Sequence, residues 1–472
     1  MRRRLPDVFI LLLLALPPLI LFWAQTVGGR TLLPTENLYQ YEPYATYAEV
    51  VQAPPPHNRL LSDLVLENYQ WKSFIRESIA EGEIPLWNPH QFAGIPFLAA
   101  GQHSALYPFS ILYYILPLPA AYGWFTVAQL WLAGALMYLF IRGLGVGRFG
   151  GVIAGITYQM SAFFVISAVF PMIIGAAAWF PLILLMTEFV IQQRPALRGR
   201  PSSLPWAGVG AAALGCSILA GHVEITYYTL LITAYYAGVR LLWAWWSGRG
   251  AVSLRYILTR AAWLVLMVVL GVGLGAIQFI PLFEFAGMNF RSGSASLEEV
   301  LGWAHPMRDL IQFALPNFYG NPSHHSYFDL FSGQTVPATV NALGQPIDTV
   351  DWGIKNYVEG ALYLGILPLA LAVYALVDSW VNRRTPPPTP LPIHGEGEST
   401  PPYRVIFAVL TLVSLTFMFG LPTYAALYVL PGISQLHSPF RWIFAVTLGV
   451  AALAGFGGDA LVILRSYPHP LA

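Results

Sequence analysis

Residues 261–280 read AAWLVLMVVLGVGLGAIQFI, twenty positions without a single charge. A helix of that length crosses the hydrocarbon core of a bilayer, about 30 Å thick. Comparable runs recur along the chain. They fall at about 8–25, 121–142, 149–168, 172–192, 205–221, 225–245, 259–281, 358–380, 404–421 and 442–464. The runs are too long for barrel strands, which alternate over roughly ten residues. The fold class that follows is an all-α polytopic membrane protein with about ten transmembrane helices and two long extracytoplasmic loops. Composition agrees. Of 472 residues 56% are hydrophobic and only 10% charged, against about 25% charged in a soluble domain. Mean hydropathy is +0.58. A net charge of +1 without a basic run excludes a nucleic-acid binder, and one cysteine, Cys216, excludes a disulfide scaffold.

Charge placement orients the spans. With the N-terminus in the cytoplasm, 16 of the 24 basic residues fall inside, among them Arg2–Arg4, Arg142, Arg148, Arg194, Arg240, Arg260, Arg383 and Arg404. Positive charge near short loops marks the cytoplasmic side, so both termini are expected there. The expected location is the cell membrane. Acidic residues run the other way: 17 of 23 fall outside. Most of that surplus reads as solvated surface. The domain plan is a membrane core over 1–381, with outer loops about 27–104 and 282–357. A cytoplasmic Pro-rich linker follows over 382–403 (starting NRRTPPPTPLP), then a C-terminal pair of spans over 404–472. Residues 105–118 are apolar but short and carry Pro108 and Pro117, which predicts an interfacial or re-entrant segment.

Long outer loops rich in Trp, Tyr, Pro and Asn put the chemistry outside. Residues 60–82 predict an amphipathic helix, with Ser62 as N-cap and Gly82 as stop. Set at about 100° per residue, Leu61, Leu64, Trp71, Ile75 and Ile79 form one stripe, suited to lie on a membrane surface. Asp63 and Glu67, four apart, share another face. Such carboxylates can act as a general base or hold a divalent cation, the one cofactor that suggests itself; Asp63 also reads as an ordinary first-turn aspartate. The next stretch, 82–108, is apolar yet proline-broken, and carries Trp87, Asn88, Gln102 and His103. Irregular apolar backbone beside a membrane is buried in protein or lines a cavity.

The motifs from Asp63 to Pro108 resemble the first outer loop of the bacterial YfhO family of membrane proteins. They are S-D-x-x-x-E-x-Y-x-W (62–71), G-E-I-P-L-W-N-P (82–89), G-I-P (94–96) and G-Q-H-S-A-L-Y-P (101–108). Further matches follow in family order: A-G-H-V-E-I-T-Y-Y (220–228), Q-F-I-P-L-F-E-F (278–285) with Arg291-Ser292, Y-V-E-G-A-L-Y-L-G (357–365) and L-H-S-P-F-R-W (436–442). That family is similar to the GT-C glycosyltransferases. The resemblance implies a GT-C-like fold and a sugar taken from a polyprenyl-phosphate carrier on the outer face. It implies Asp63 as catalytic base, with Glu67 second. Family members normally continue into a further outer region after the span holding F-R-W.

The implied chemistry assigns the remaining groups. Phosphate departure from the anomeric carbon calls for cations, and Arg291, Lys355 and Arg441 lie at outer span mouths. Each also reads as a side chain snorkelling to the interface. His437 flanks Arg441, while His222 and Glu224 end the fifth span; Trp87, Asn88, Gln102 and His103 would grip the sugar. The expected partners are a polyprenyl-phosphate-linked sugar, membrane lipids and an envelope glycan, polymer or protein acceptor, and no nucleic acid. The competing readings are a transporter or flippase, and a non-catalytic assembly factor, for lipid-linked glycans.

Overall fold

The computed structural model describes residues 5–54, 58, 61–195, 201–247, 252–288, 294–321, 326–329, 333–337, 357–381, 401–436 and 438–466. The chain is mostly helical. It opens with three short helices in one run, α1 (Leu5–Leu13), α2 (Leu16–Leu21) and α3 (Trp23–Thr26). Pro17 and Pro18 sit in the first turn of α2, where the missing N–H is tolerated. The segment that follows carries α4 (Tyr69–Ala80) and a small hairpin of β1 (Trp87–Asn88) and β2 (Ile95–Pro96). Then come α5 (Ile111–Ile115), α6 (Leu118–Gly143), α7 (Arg148–Gln159) and α8 (Ala162–Ile166). The bundle continues with α9 (Pro171–Ala177), α10 (Phe180–Gln192), α11 (Leu204–Leu219), α12 (Val223–Ser247) and α13 (Leu254–Ala286). Beyond them lie α14 (Leu297–Leu301), the hairpin of β3 (Ser326–Asp329) and β4 (Gln334–Pro337), α15 (Ile366–Val381), α16 (Tyr403–Met418), α17 (Tyr424–Tyr428) and α18 (Ile443–Ser466).

Every apolar run read from the sequence contains helix, but the helices differ in reach. Among the described residues four are long and apolar enough to cross a membrane: Leu118–Gly143, Pro171–Gln192, Leu254–Ala286 and Pro439–Leu464. The α7–α8 pair, bent by 42°, makes a fifth if counted as one span. The chain is thus a multi-pass helical membrane protein; ten crossings remain the sequence expectation. The run at 358–380 becomes helical only at Ile366, because Gly365 takes φ +93°. Residues 105–118 form only a short helix, α5, before Pro117 starts α6. Most of 282–357 and of 382–403 lies outside the described residues.

Small residues set the helix contacts, as expected where lipid removes the hydrophobic drive between helices. A Cβ on Gly271 or Gly275 of α13 would strike Leu214 or Ile218 of α11. The C-terminal α18 is buried within the bundle, with Gly455 against Gly150 of α7 and Gly457 against the Leu371 carbonyl of α15. One end of the bundle gathers several ion pairs. Asp7 meets Arg142 and Arg148, and Arg404 meets Asp378. Glu188, fully buried, meets Arg240 at 2.8 Å and accepts from Tyr236 and Tyr403. The opposite end carries the segments around α4 and α14. There Ser296 and Glu299 form a capping box at α14, and the His305 amide donates to the Met418 carbonyl at 3.0 Å.

Candidate functional site

Asp63 and Glu67 open a π-helical turn, Leu64–Asn68, that runs into α4. Both carboxylates are exposed while Leu64, Val65 and Asn68 face inward. A helix start by itself favours an ionised carboxylate. Partial burial dominates instead and raises its pKa. Burial, then the charge of Asp63, raises that of Glu67. The Ser62 hydroxyl accepts from the Asn37 amide at 3.2 Å. The apolar stripe of α4 does not lie on a membrane surface: Trp71 and Ile75 are buried against Phe97 and Ala105. Ile79 alone of the stripe's distal half stays exposed.

The proline-broken stretch that follows is a sewn loop. Lys72 of α4 is buried, donates to the His103 carbonyl at 2.6 Å and stands 4.6 Å from the centre of the Tyr113 ring. Burial pulls its pKa down to about 7. His103 stacks on Phe97 at 4.5 Å. Its Nδ1 accepts the Ala105 amide at 2.9 Å, which leaves the proton on Nε2, 3.2 Å from the Leu98 carbonyl. Burial is the main reason its pKa falls to about 4. Asn88 is buried too: its Oδ1 accepts the His90 amide at 2.9 Å, and its amide donates to Gln91 at 3.2 Å. Trp87 and Gln102 are exposed. Asn88 and His103 therefore shape the loop, while Trp87 and Gln102 present side chains outward.

Three contacts tie this loop to the bundle. Gln278 of α13 donates to the Gly101 carbonyl at 2.6 Å, and Ser104 donates to the Ala220 carbonyl at 2.7 Å. Gly221, at φ +94°, leaves a Cβ no room: it would lie 2.5 Å from the Gly101 oxygen. The next residue, His222, immediately precedes α12; burial, then Arg441, holds its pKa well below the ordinary imidazole value. Its Nδ1 accepts the Ile225 amide at 3.2 Å.

Beside this junction Arg441 is gripped by two carboxylates, Glu224 of α12 and Glu359. Tyr228, one turn along α12, donates to the other Glu224 oxygen at 2.9 Å and packs on Trp442 at 5.0 Å. Glu359 and Arg441 line a small cleft that opens to solvent. Phe163, Ile173, Ile225, Phe440 and Ile443 make its apolar walls. Asp63 and Glu67 are not among the lining residues. Glu359 was missed as a site residue by sequence reasoning, although it sits in the quoted Y-V-E-G motif; only its pairing across the fold marks it out. Arg291, Lys355 and His437 lie outside the described residues. Among the described residues no three His, Cys, Asp or Glu side chains gather as a metal site.

No protein-family model matches the chain, and no curated protein does. Two solved structures of ArnT from Cupriavidus metallidurans are similar to it. The apo form shares 15% identity over 83% of this chain and 72% of that one, with a TM-score of 0.33. The form bound to undecaprenyl phosphate shares 14% over 85% and 74%, with a TM-score of 0.34. Similarity of this size assigns no function.

Proposed function

We propose that the chain is a membrane glycosyltransferase that moves a sugar from a polyprenyl-phosphate carrier to an envelope acceptor on the outer face. The observation that carries this reading is Arg441, a guanidinium held between Glu224 and Glu359 at the edge of a small cleft with apolar walls. Arg441 meets the phosphate as charge develops on the leaving oxygen, and its planar fork suits that anion. The acceptor hydroxyl attacks the anomeric carbon and gives its proton to Asp63, the bond to phosphate breaks, and polyprenyl phosphate departs. Burial-raised pKa values at Asp63 and Glu67 support a base role. Trp87 and Gln102, exposed on the docked loop, are the groups available to the sugar, and Arg291, Lys355 and His437 are further candidates for the phosphate. A divalent cation, if needed, would sit at Asp63 and Glu67; activity after chelation with EDTA tests it. The deciding experiment incubates purified protein with a polyprenyl-phosphate sugar. Polyprenyl phosphate should be released by wild type and not by Asp63→Asn.

One observation favours a second reading. The helix pair α7–α8 is broken at the cleft, and Phe163 and Ser167 beyond the break line it. Broken helices at a binding site are a transporter feature. Movement of labelled lipid across proteoliposomes without sugar release would support a flippase instead.

A further inference from the structure

Arg260 stands on the inner face of α13, one turn before the buried Leu264, and is only 5% exposed. Its Nε is buried without a hydrogen-bond partner. Among the described residues no carboxylate pairs with it. The guanidinium lies 4.1 Å from the centre of the Tyr256 ring, and a ring face offsets only part of the cost of burying a cation. Tyr256 is fixed in turn, its hydroxyl donating to the Ile191 carbonyl of α10 at 3.1 Å. The α10–α11 corner is built alike: Arg194 lies 4.2 Å from the centre of the Phe189 ring, and Trp206 packs on that ring at 5.0 Å and donates to the Arg194 carbonyl at 2.7 Å. A buried charge without a partner calls for an anion from outside the chain. The nearby sequence offers none. Residues 189–283 hold seven arginines, no lysine and one acidic residue, Glu224, which sits with Arg441 at the far end of α12. Of the seven, Arg240 is already paired with Glu188.

We propose that Arg260 holds the phosphate of an anionic phospholipid, drawn from the leaflet at that end of the bundle and lodged where α10, α11 and α13 meet. The surroundings favour a lipid over a free anion. The helix α13 is long and apolar enough to cross the membrane, and the paired α11 and α13 expose Leu204, Val209, Leu258 and Val265, side chains that suit acyl chains. Basic pockets between membrane helices hold acidic headgroups in this way. A planar guanidinium suits a phosphate, to which it can present paired N–H groups. The headgroup supplies the counter-charge that the chain lacks there and so secures α13 against α11. This site is separate from the Arg441 cleft and stands whether or not the chain transfers a sugar.

The test titrates the full chain, delipidated in detergent, with phosphatidylglycerol or phosphatidylcholine and counts bound lipid by native mass spectrometry. Wild type should prefer phosphatidylglycerol, and Arg260→Gln should hold it about tenfold more weakly. Arg255→Gln removes the same charge from an exposed position on the same helix and should lose far less. Equal losses in the two variants would reveal a diffuse attraction to a basic surface and overturn the site, as would a wild type without preference for the acidic lipid. Inorganic phosphate separates the two sources of the anion. It should raise the melting temperature of delipidated protein less than phosphatidylglycerol does; an equal rise makes this a free-anion site and overturns the lipid. Should Arg260→Gln not fold, wild type decides. Phosphatidylglycerol with a photoreactive headgroup should label Trp206 or Tyr256, and labelling confined to other positions overturns the proposal.

Discussion

Asp63 is a first-turn aspartate whose surroundings work against its charge. Its pKa is raised by burial, so the folded state binds that proton more tightly than the unfolded chain. Stability from this group accordingly grows as pH falls through the raised value and is absent at neutrality. Asp63→Asn should therefore abolish polyprenyl phosphate release, by about a hundredfold or more, with no fall in melting temperature at pH 7. A parallel fall in both would make the residue structural. In wild type, kcat/KM should decline on the acid side with an apparent pKa above that of a free aspartate. Lys72 gives a second, opposite signature. Its folded pKa is depressed to about 7 from 10.5, so the unfolded chain holds the extra proton between those values and stability rises with pH across that window. Lys72→Met should melt higher than wild type near pH 6.5, and its advantage should shrink toward pH 10. An advantage independent of pH would show that packing, not the ammonium, governs the site. The sequence singled out Asp63 through its i,i+4 partner and its motif. It could not show Lys72 as a buried group, because burial here comes from Phe97, His103 and Tyr113, up to 41 positions away.

Helices were legible from hydropathy, their ends less so. Windows locate apolar content, whereas Gly365, Pro117 and the Met160–Ser161 bend decide where a helix begins or turns. The amphipathic pattern of α4 was read correctly as a stripe at Leu64, Trp71 and Ile75, and wrongly as a membrane-facing one. A periodicity says that a face is covered; only the docked loop carrying Phe97 and Ala105 says by what. That docking hinges on Gly221, where the left-handed backbone and the Gly101 oxygen leave no space for a methyl group. Gly221→Ala should destabilise by about 1–3 kcal/mol and loosen the 98–104 loop from α11 and α13. Limited proteolysis should then cut within that loop before any other described segment. Wild-type resistance with an unchanged melting temperature would mean the junction yields without strain.

The whole bundle has a polarity that its hydrogen bonds make concrete. Asp7, Arg142, Arg148, Glu188, Arg240, Asp378 and Arg404 converge on one end, as do Trp206 on the Arg194 carbonyl and Tyr256 on the Ile191 carbonyl. Arg441, Gly221, Gln278 and the docked loop occupy the other. Alternating helices thus bring together, at a single end, Arg142, Arg148, Arg240 and Arg404, which the positive-inside rule assigns to the cytoplasm, although they come from four separate helices. On the proposed reading the opposite end faces outward, where a carrier sugar would reach Asp63 and the cleft. Cysteine labelling decides the matter cleanly. The one native cysteine, Cys216, lies within α11 and can be replaced by alanine. In that background a cysteine at Val50, 78% exposed in the first outer segment, should react with an impermeant maleimide on intact cells. One at Ser399, in the Pro-rich stretch before α16, should react only after permeabilisation. The reverse pattern would turn the cleft toward the cytoplasm, where a sugar carrier displayed on the outer leaflet could not reach it.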